Sequence, residues 1–172
     1  RTLYIGRSIV KQITDLQQSP DGRHIAYTVQ RIDKKSEKRY SDLWVAPTRR
    51  GRPRQFTFGD YNDVMPRWSP DGSQIAFLSN RTNEQMAQIF LLPFGGGEAR
   101  PLTDLKGRIL GMKWSPDGSK LAILFNKVDP EMAAMMADEQ KKKLGVVSRH
   151  FTRITYKADA FGYLPKERPH IW

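Results

Sequence analysis

The residues best suited to chemistry in this sequence are three aspartates, each within a copy of the tetrapeptide Ser-Pro-Asp-Gly: Asp21, Asp71 and Asp117. Carboxylates can act as general acid and base or ligate calcium, but either function needs further oxygen ligands or a second acidic group nearby. No second acidic residue recurs at a fixed distance from all three copies of the tetrapeptide. Ser, Pro, Asp and Gly suit the positions of a type I turn. We therefore predict that the aspartates bond their local backbone, with catalysis or calcium binding as the alternative.

Other side chains with catalytic potential lack the spacing that an active site needs. The nucleophile motif Gly-x-Ser-x-Gly of α/β-hydrolases is absent, since the Gly-x-Ser run at residues 6–8 continues with Ile9. The glycines at 95–97 precede no helix and predict a hairpin turn, not a phosphate cradle. Three histidines show no metal-ligand spacing and are expected at loop or strand surfaces: His24, His150 and His170. We assign no catalytic, cofactor-binding or metal-binding residue to this chain and leave substrate-binding residues unassigned.

The tetrapeptide belongs to a longer repeat. Its serines, Ser19, Ser69 and Ser115, lie 50 and 46 residues apart, which is close to the repeat length of propeller blades. An apolar-alternating run follows each copy, and a second apolar run comes later in each unit. Alternation with β-branched and aromatic residues predicts strands in both runs.

Constant and variable spacings divide each unit into packed segments and surface loops. Trp44 and Thr57 are 13 residues apart, as are Phe90 and Thr103, and each threonine precedes the next repeat serine by 12 residues. Only the connection between the second and third predicted strands varies in length, and it is longest in the third unit. Surface loops tolerate such changes, whereas packed strands do not. The sequence therefore predicts an all-β propeller fold with four antiparallel strands in each blade.

Three units of this kind cover most of the chain, at about residues 11–60, 61–107 and 108–172. The first two are complete and the third contains most of a blade. Propellers close with about 4–8 blades, so we expect either a longer protein or association of copies into a homo-oligomer. Trp68 and Trp114 precede the tetrapeptide and are predicted to pack between blades, with a ligand cage as the alternative. Gln18 takes their place in the first unit.

The third unit contains an insertion with helix signals, predicted around residues 130–143. Asp129 suits the N-cap, Pro130 the first helical position and Gly145 the C-terminal cap. Its methionines predict packing against the parent domain or, alternatively, an adaptable contact surface: Met132, Met135 and Met136.

Composition limits the partners and the compartment. The 29 Lys+Arg and 18 Asp+Glu residues give a formal net charge of +11. Because no nucleic-acid-binding motif accompanies this charge, we interpret it as solvated loops, with a nucleic-acid partner as the less favoured alternative. No apolar stretch of membrane-spanning length and no secretion signal is found, and cysteine is absent. A cytoplasmic location is therefore expected. The missing initiator Met and the final His-Ile-Trp suggest that both ends are cut.

The motifs resemble those of a known enzyme family. The run WSPDGSQIAFLS at 68–79, followed by IFLLPFGGGEARPLT at 89–103, is similar to propeller repeats of the prolyl oligopeptidase family of serine peptidases and of the periplasmic Tol propeller protein. Two features favour the peptidases. The third unit is longer than the regular Tol-type unit, and ITYKADAFGYLPKERPHIW at 154–172 resembles the acylaminoacyl peptidase branch.

This resemblance implies a function that the residues alone do not. The chain would be the N-terminal part of a seven- or eight-bladed propeller that gates access of short, N-acylated peptides to a C-terminal α/β-hydrolase domain. That domain and its Ser-Asp-His residues are not present in this chain, so none of them can be carried over. The family needs no cofactor for this reaction. A non-enzymatic, protein-binding propeller of the periplasmic Tol type is the alternative.

Overall fold

A computed structural model describes residues 12–33, 37–84, 86–128, 157–158, 162–163 and 169–172. All regular elements in this part of the chain are β-strands. Since the described residues form no helix, they contain none that could cross a membrane. The helix predicted around 130–143 lies outside the described residues.

The strands form successive antiparallel sheets. The first sheet contains β1 (Gln12–Gln18), β2 (His24–Ile32), β3 (Arg39–Pro47) and β4 (Arg54–Gln55) in that order. The second contains β5 (Val64–Trp68), β6 (Gln74–Ser79), β7 (Gln88–Pro93) and β8 (Arg100–Pro101). The third is formed by β9 (Gly107–Trp114) and β10 (Leu121–Lys127). A separate pair consists of β11 (Lys157–Ala158) and β12 (Gly162–Tyr163), and β13 (His170–Ile171) pairs with β10 at the edge of the third sheet.

This arrangement confirms the predicted all-β fold of four-stranded antiparallel blades, two of them complete. The aromatic residues of the third strands are in equivalent register, as the spacing predicts: Trp44, Phe90 and Trp172. Each pairs with the residue that lies eight positions after the serine of its turn, and these partners are Tyr27, Phe77 and Ile123.

The Ser-Pro-Asp-Gly segments form the turns between the first and second strands of each sheet. In the second sheet the Gly72 amide donates to the Ser69 carbonyl at 2.9 Å, which closes a four-residue turn. The Ser69 hydroxyl donates to Asp71 at 2.6 Å and accepts from the Gln74 amide at 3.1 Å. Since Gly72 has a φ of +70°, a side chain at this position would be strained. The same bonds recur in the other two turns. In all three turns the aspartate also accepts a hydrogen bond from the backbone amide two residues later, as predicted from the turn.

We expect the carboxyl groups of Asp71 and Asp117 to titrate at about pH 2. Serine hydroxyl and backbone amide donors stabilise the ionised form of each and so lower its pKa. Because an unfolded aspartate titrates at about pH 3.9, this contribution to stability is complete above that pH and is lost as the pH falls towards 2. NMR titration of the carboxyl carbons measures both values.

Ser73→Ala provides the control for this prediction. It removes one hydroxyl donor, at 2.7 Å from Asp71, and leaves the equivalent Ser119–Asp117 bond intact. The pKa of Asp71 should therefore rise while that of Asp117 stays at about 2. A wild-type Asp71 that titrates near pH 4 would contradict the assignment.

The constant spacing between aromatic residue and threonine has a structural cause. The Thr57 hydroxyl accepts a hydrogen bond from the Leu43 amide at 2.9 Å, and the Thr103 hydroxyl accepts one from the Ile89 amide at 3.0 Å. Each threonine thus satisfies an amide of the third strand just beyond the short fourth strand. Inserting a residue in this stretch would move the hydroxyl away and leave the amide without this acceptor.

The second sheet is buried on both faces. Residues Ile75 and Phe77 of β6 pack against the first sheet, while Ala76 and Leu78 pack against the third. This explains why β6 and β7 are almost continuously apolar and buried, whereas the alternation expected from the sequence would leave one face in water. The hydrophobic core therefore lies between the sheets, as stacked blades require.

The tryptophans before the turns join neighbouring sheets, which confirms their predicted packing role. Trp68 has 4% of its surface exposed and packs edge-on against Phe94, with ring centroids 4.8 Å apart. Its indole Nε1 donates to the Gln17 carbonyl of the first sheet at 3.2 Å. Trp114 Nε1 donates in the same way to the Arg67 carbonyl of the second sheet at 3.1 Å.

Candidate functional site at the junction of the first two sheets

Residues 58–63 connect β4 to β5 and cross from the first sheet to the second. We call them the junction segment. Its backbone is fixed on both sides, because the Ser41 amide donates to the Tyr61 carbonyl at 2.9 Å and the Asn62 amide donates to Asn80 Oδ1 at 2.7 Å. The segment lies at the edge of the sheets where the variable loops emerge, opposite the Ser-Pro-Asp-Gly turns.

Arg31 at the end of β2 binds the first half of the junction segment. Its Nη2 donates to the Gly59 carbonyl at 2.7 Å and to Asp60 Oδ1 at 3.0 Å, while its Nε donates to Asp42 Oδ2 at 3.2 Å. The guanidinium also lies 4.9 Å from the centroid of the Tyr40 ring. One arginine thus links two strands to the segment with charge-assisted bonds.

Burial and pairing have opposite effects on the pKa values of Asp42 and Arg31, and both pKa values are raised in the balance. Burial raises the pKa of the Asp42 carboxyl, and the hydrogen bond from Arg31 offsets only part of that effect. Hydrogen bonds to Asp60 and Asp42 raise the pKa of Arg31. Arg31 therefore stays positively charged, and the junction segment can pack around this charge.

Arg81, just after β6, binds the second half of the segment. Its Nη2 donates to Asp63 Oδ2 at 2.6 Å and its Nε donates to Ser79 Oγ at 2.9 Å. Asp63 has 1% of its surface exposed and the Arg81 side chain 22%. The guanidinium also lies near three aromatic rings, 5.5 Å from the centroid of Tyr61, 5.4 Å from that of Phe77 and 5.1 Å from that of Phe90.

A polar cavity of about 430 Å³ opens beside the junction segment. Its walls come from the β2–β3 loop, the segment itself and the β6–β7 loop. They carry amide, hydroxyl, phenol and charged groups, among them Arg39, Tyr40, Asn62, Asn80, Arg81 and Thr82. Such groups can hydrogen-bond the backbone or polar side chains of a bound peptide. We take this junction cavity as the candidate binding site.

A second, more open groove lies at the opposite edge, among the Ser-Pro-Asp-Gly turns. Its volume is about 510 Å³, and its lining is mainly apolar, with Trp68, Trp114, Pro20, Pro70 and Pro116. Trp68 has only 4% of its surface exposed and packs against Phe94, so its ring is not free to form an aromatic cage with Trp114. The polar junction cavity offers more groups that could fix the orientation of a ligand.

Among the residues that the structure describes, the potentially reactive side chains are not brought together into a catalytic group. Asp21, Asp71 and Asp117 are each bonded within their own turn. His24 packs edge-on against Phe94, with ring centroids 4.9 Å apart, and His170 lies in β13. His150 is outside the described residues. Within the described ranges, no group of three His, Asp or Glu side chains could hold a metal ion.

The two arginines of the site were not singled out from the sequence, although a signal for them exists. Arg31 follows Ser19 by 12 residues, and Arg81 follows Ser69 by 12 residues. They therefore occupy the same position in two copies of the repeat. Their carboxylate partners, in contrast, show no such regularity in the sequence.

The chain matches the family described as PD40, TolB beta propeller domain, over residues 13–155. A Bacillus subtilis (strain 168) protein described as an uncharacterized peptidase, YuxL, is 36% identical over 96 residues, which are 56% of this chain and 14% of that protein. The chain therefore spans only a small part of this curated relative.

Two solved structures share the fold. An acylaminoacyl peptidase from Pyrococcus horikoshii superposes with a TM-score of 0.69 at 20% identity, over 94% of this chain and 22% of that one. A putative TolB from Agrobacterium tumefaciens gives a TM-score of 0.53 at 24% identity, over 71% of this chain and 40% of that one. At identities below 25%, these superpositions show a common fold and nothing further. With the family match covering most of the sequence and four-stranded blades in the structure, the chain belongs to the PD40 family of TolB-type β-propeller domains.

Proposed function

We propose that this chain is part of the propeller of a serine peptidase that hydrolyses short, N-acylated peptides. In this proposal the propeller limits which peptides reach an α/β-hydrolase domain that lies further along the same protein. The observation that carries the proposal is the 36% identity to a protein described as a peptidase. The similarity of fold to an acylaminoacyl peptidase over 94% of the chain agrees with it.

The proposed role of the described residues is to shape the access path. Arg31 and Arg81 fix the segment that forms one wall of the junction cavity. Polar groups around it suit contacts with peptide backbone. The outer face of the third sheet exposes Leu110, Leu124 and Ile171, and in this proposal the next blade of the same protein covers it. Association into homo-oligomers is a further proposal.

A non-enzymatic propeller of the Tol type is the second candidate. It is favoured by the family description and by the fold shared with a putative TolB. The two candidates also differ in compartment. The peptidase proposal places the protein in the cytoplasm, which is compatible with a chain that contains no cysteine.

Reading the coding sequence downstream of Trp172 distinguishes the two candidates directly. The peptidase proposal expects further Ser-Pro-Asp-Gly units, then Gly-x-Ser-x-Gly, then an aspartate and a histidine. A reading frame that ends after the propeller units would remove the hydrolase domain and with it the proposal.

Activity of the full-length protein provides the second test. We expect hydrolysis of N-acetylated di- and tripeptide 4-nitroanilides, and its loss after treatment with a serine-directed fluorophosphonate. We also expect much slower cleavage of the same scissile bond within a folded protein, because the propeller restricts access. Equal rates on the small and the folded substrate would contradict the gating role. Resistance to the fluorophosphonate would contradict the serine mechanism.

A further inference from the structure

The hairpin between β3 and β4 carries a dense cluster of positive charge. Four arginines occur within six residues of this turn, and all of them are exposed: Arg49, Arg50, Arg52 and Arg54. The hairpin lies at the edge of the first sheet that also carries the Ser-Pro-Asp-Gly turn. It is therefore on the opposite side from the junction cavity.

The equivalent hairpin of the second sheet shows that the fold does not require three of these four arginines. Pro47 and Gly51 correspond to Pro93 and Gly97, and the two hairpins have the same length. Where the first hairpin has Arg49, Arg50 and Arg52, the second has Gly95, Gly96 and Glu98, while Arg54 corresponds to another arginine, Arg100. The same connection is thus made with glycines and an acidic residue, so Arg49, Arg50 and Arg52 need an explanation other than the turn.

A neighbouring turn holds the hairpin and adds a fifth arginine. The Thr48 amide donates to the Arg23 carbonyl at 2.9 Å, and the Thr48 hydroxyl donates to the Gly22 carbonyl at 2.9 Å. The Arg23 side chain itself is 81% exposed. We call these five residues the arginine patch: Arg23, Arg49, Arg50, Arg52 and Arg54. Because the backbone beneath it is fixed, a partner that binds the patch need not order the turn.

The positive charge of the patch is largely uncompensated within the described residues. Arg23 Nε lies 3.9 Å from Asp21, whose carboxylate also accepts bonds from its own turn. The four hairpin arginines form no ion pair with any carboxylate in the part of the chain that the structure describes. Arg54 lies over the Phe56 ring, 5.8 Å from its centroid, which leaves its edge available to a ligand.

We propose that the arginine patch binds an acidic segment of a protein through its carboxylates. Arginine presents a rigid fork that can bind a carboxylate with two hydrogen bonds. The patch is confined to one hairpin and the turn beside it, which matches a short acidic segment. Sites for single-stranded nucleic acid combine an extended basic groove with exposed aromatic side chains for base stacking. The arginine patch includes no aromatic side chain. This proposal does not depend on the peptidase function.

The test measures binding of a fluorescent hexaglutamate peptide to the full-length protein, with hexaglutamine as the neutral control. The double variant Arg49→Gly/Arg50→Gly introduces the residues that the second hairpin has at these positions, so it should fold. Its affinity for hexaglutamate should fall about tenfold, as loss of two charge-assisted contacts predicts. Binding by the wild type should also weaken as salt is raised.

A matched control separates the patch from net charge. Lys113→Gln/Lys120→Gln also removes two positive charges from the same edge of the molecule, but in the third sheet, and should leave the affinity within about twofold. An equal loss in both double variants would overturn the proposal, because the effect would then be non-specific. Failure of the wild type to bind hexaglutamate would also overturn the proposal. So would an RNA or DNA oligonucleotide that binds more tightly than hexaglutamate and loses affinity in the Arg49→Gly/Arg50→Gly variant.

Discussion

Replacing Arg81 by alanine is expected to lower the free energy of unfolding by about 3–5 kcal/mol, the range for breaking a buried ion pair. The change leaves the Asp63 carboxylate, with 1% of its surface exposed, without its guanidinium partner at 2.6 Å. It also removes a cation from between the rings of Tyr61, Phe77 and Phe90. Urea unfolding of the full-length protein, followed by tryptophan fluorescence, measures the effect.

A double-mutant cycle shows whether the loss comes from this pair. Asp63→Ala should also destabilise the protein, but the double variant Asp63→Ala/Arg81→Ala should lose much less than the sum of the two, because no buried charge is left unpaired. Arg100→Ala removes an exposed arginine from β8 and should change stability by less than about 0.5 kcal/mol. Strictly additive single effects would show that the pair does not fix the junction segment.

Replacing Trp68 by alanine is expected to cost about 3–5 kcal/mol, the range for removing a large buried aromatic side chain. The indole contacts residues from both sheets, including Ala26, Val45 and Phe94, and it donates to the Gln17 carbonyl. Its loss would open a cavity between the first two blades. The same urea experiment measures the change, with thermal unfolding as a second readout.

Trp68→Phe separates ring packing from the hydrogen bond. It keeps an aromatic ring in the site but removes the Nε1 donor, so it should cost less than the alanine variant. Trp114→Ala is the matched comparison, because this tryptophan makes the equivalent bond to the Arg67 carbonyl but is only partly buried in the described structure. We expect a smaller loss there. Equal losses at the two sites would mean that burial between the sheets does not set the effect.

Local features of the fold could be predicted from the repeat. The Ser-Pro-Asp-Gly turns bond as their residue types indicate, since a turn is stabilised by contacts within a few residues. The constant spacing from Trp44 to Thr57 also reflects a real constraint, the bond from the Leu43 amide to the Thr57 hydroxyl. Most of the sequence signals that succeeded have a physical cause within one blade. The exception is the tryptophan before the turn, whose predicted packing between blades is also confirmed.

The candidate site could not be predicted to the same extent. Arg31 and Arg81 repeat at equal distances from the turn, yet Arg31 pairs with Asp60 and Arg81 with Asp63, which lie 29 and 18 residues away along the chain. These partners sit on a connecting segment that has no periodic pattern. Which carboxylate meets which arginine depends on where that segment crosses between the sheets.

The amino-acid sequence by itself determined the β-strands, their order within a blade and the turns, because alternation, turn chemistry and constant spacing act over short distances. Only the tertiary structure decided which faces are buried. Ile75 and Ala76 are adjacent in β6, and each is buried because a different sheet packs on its side. Stacking of the blades likewise placed Arg81 against Asp63 and formed the junction cavity. Contacts between blades join residues from different repeats, and a pattern within one repeat does not specify them.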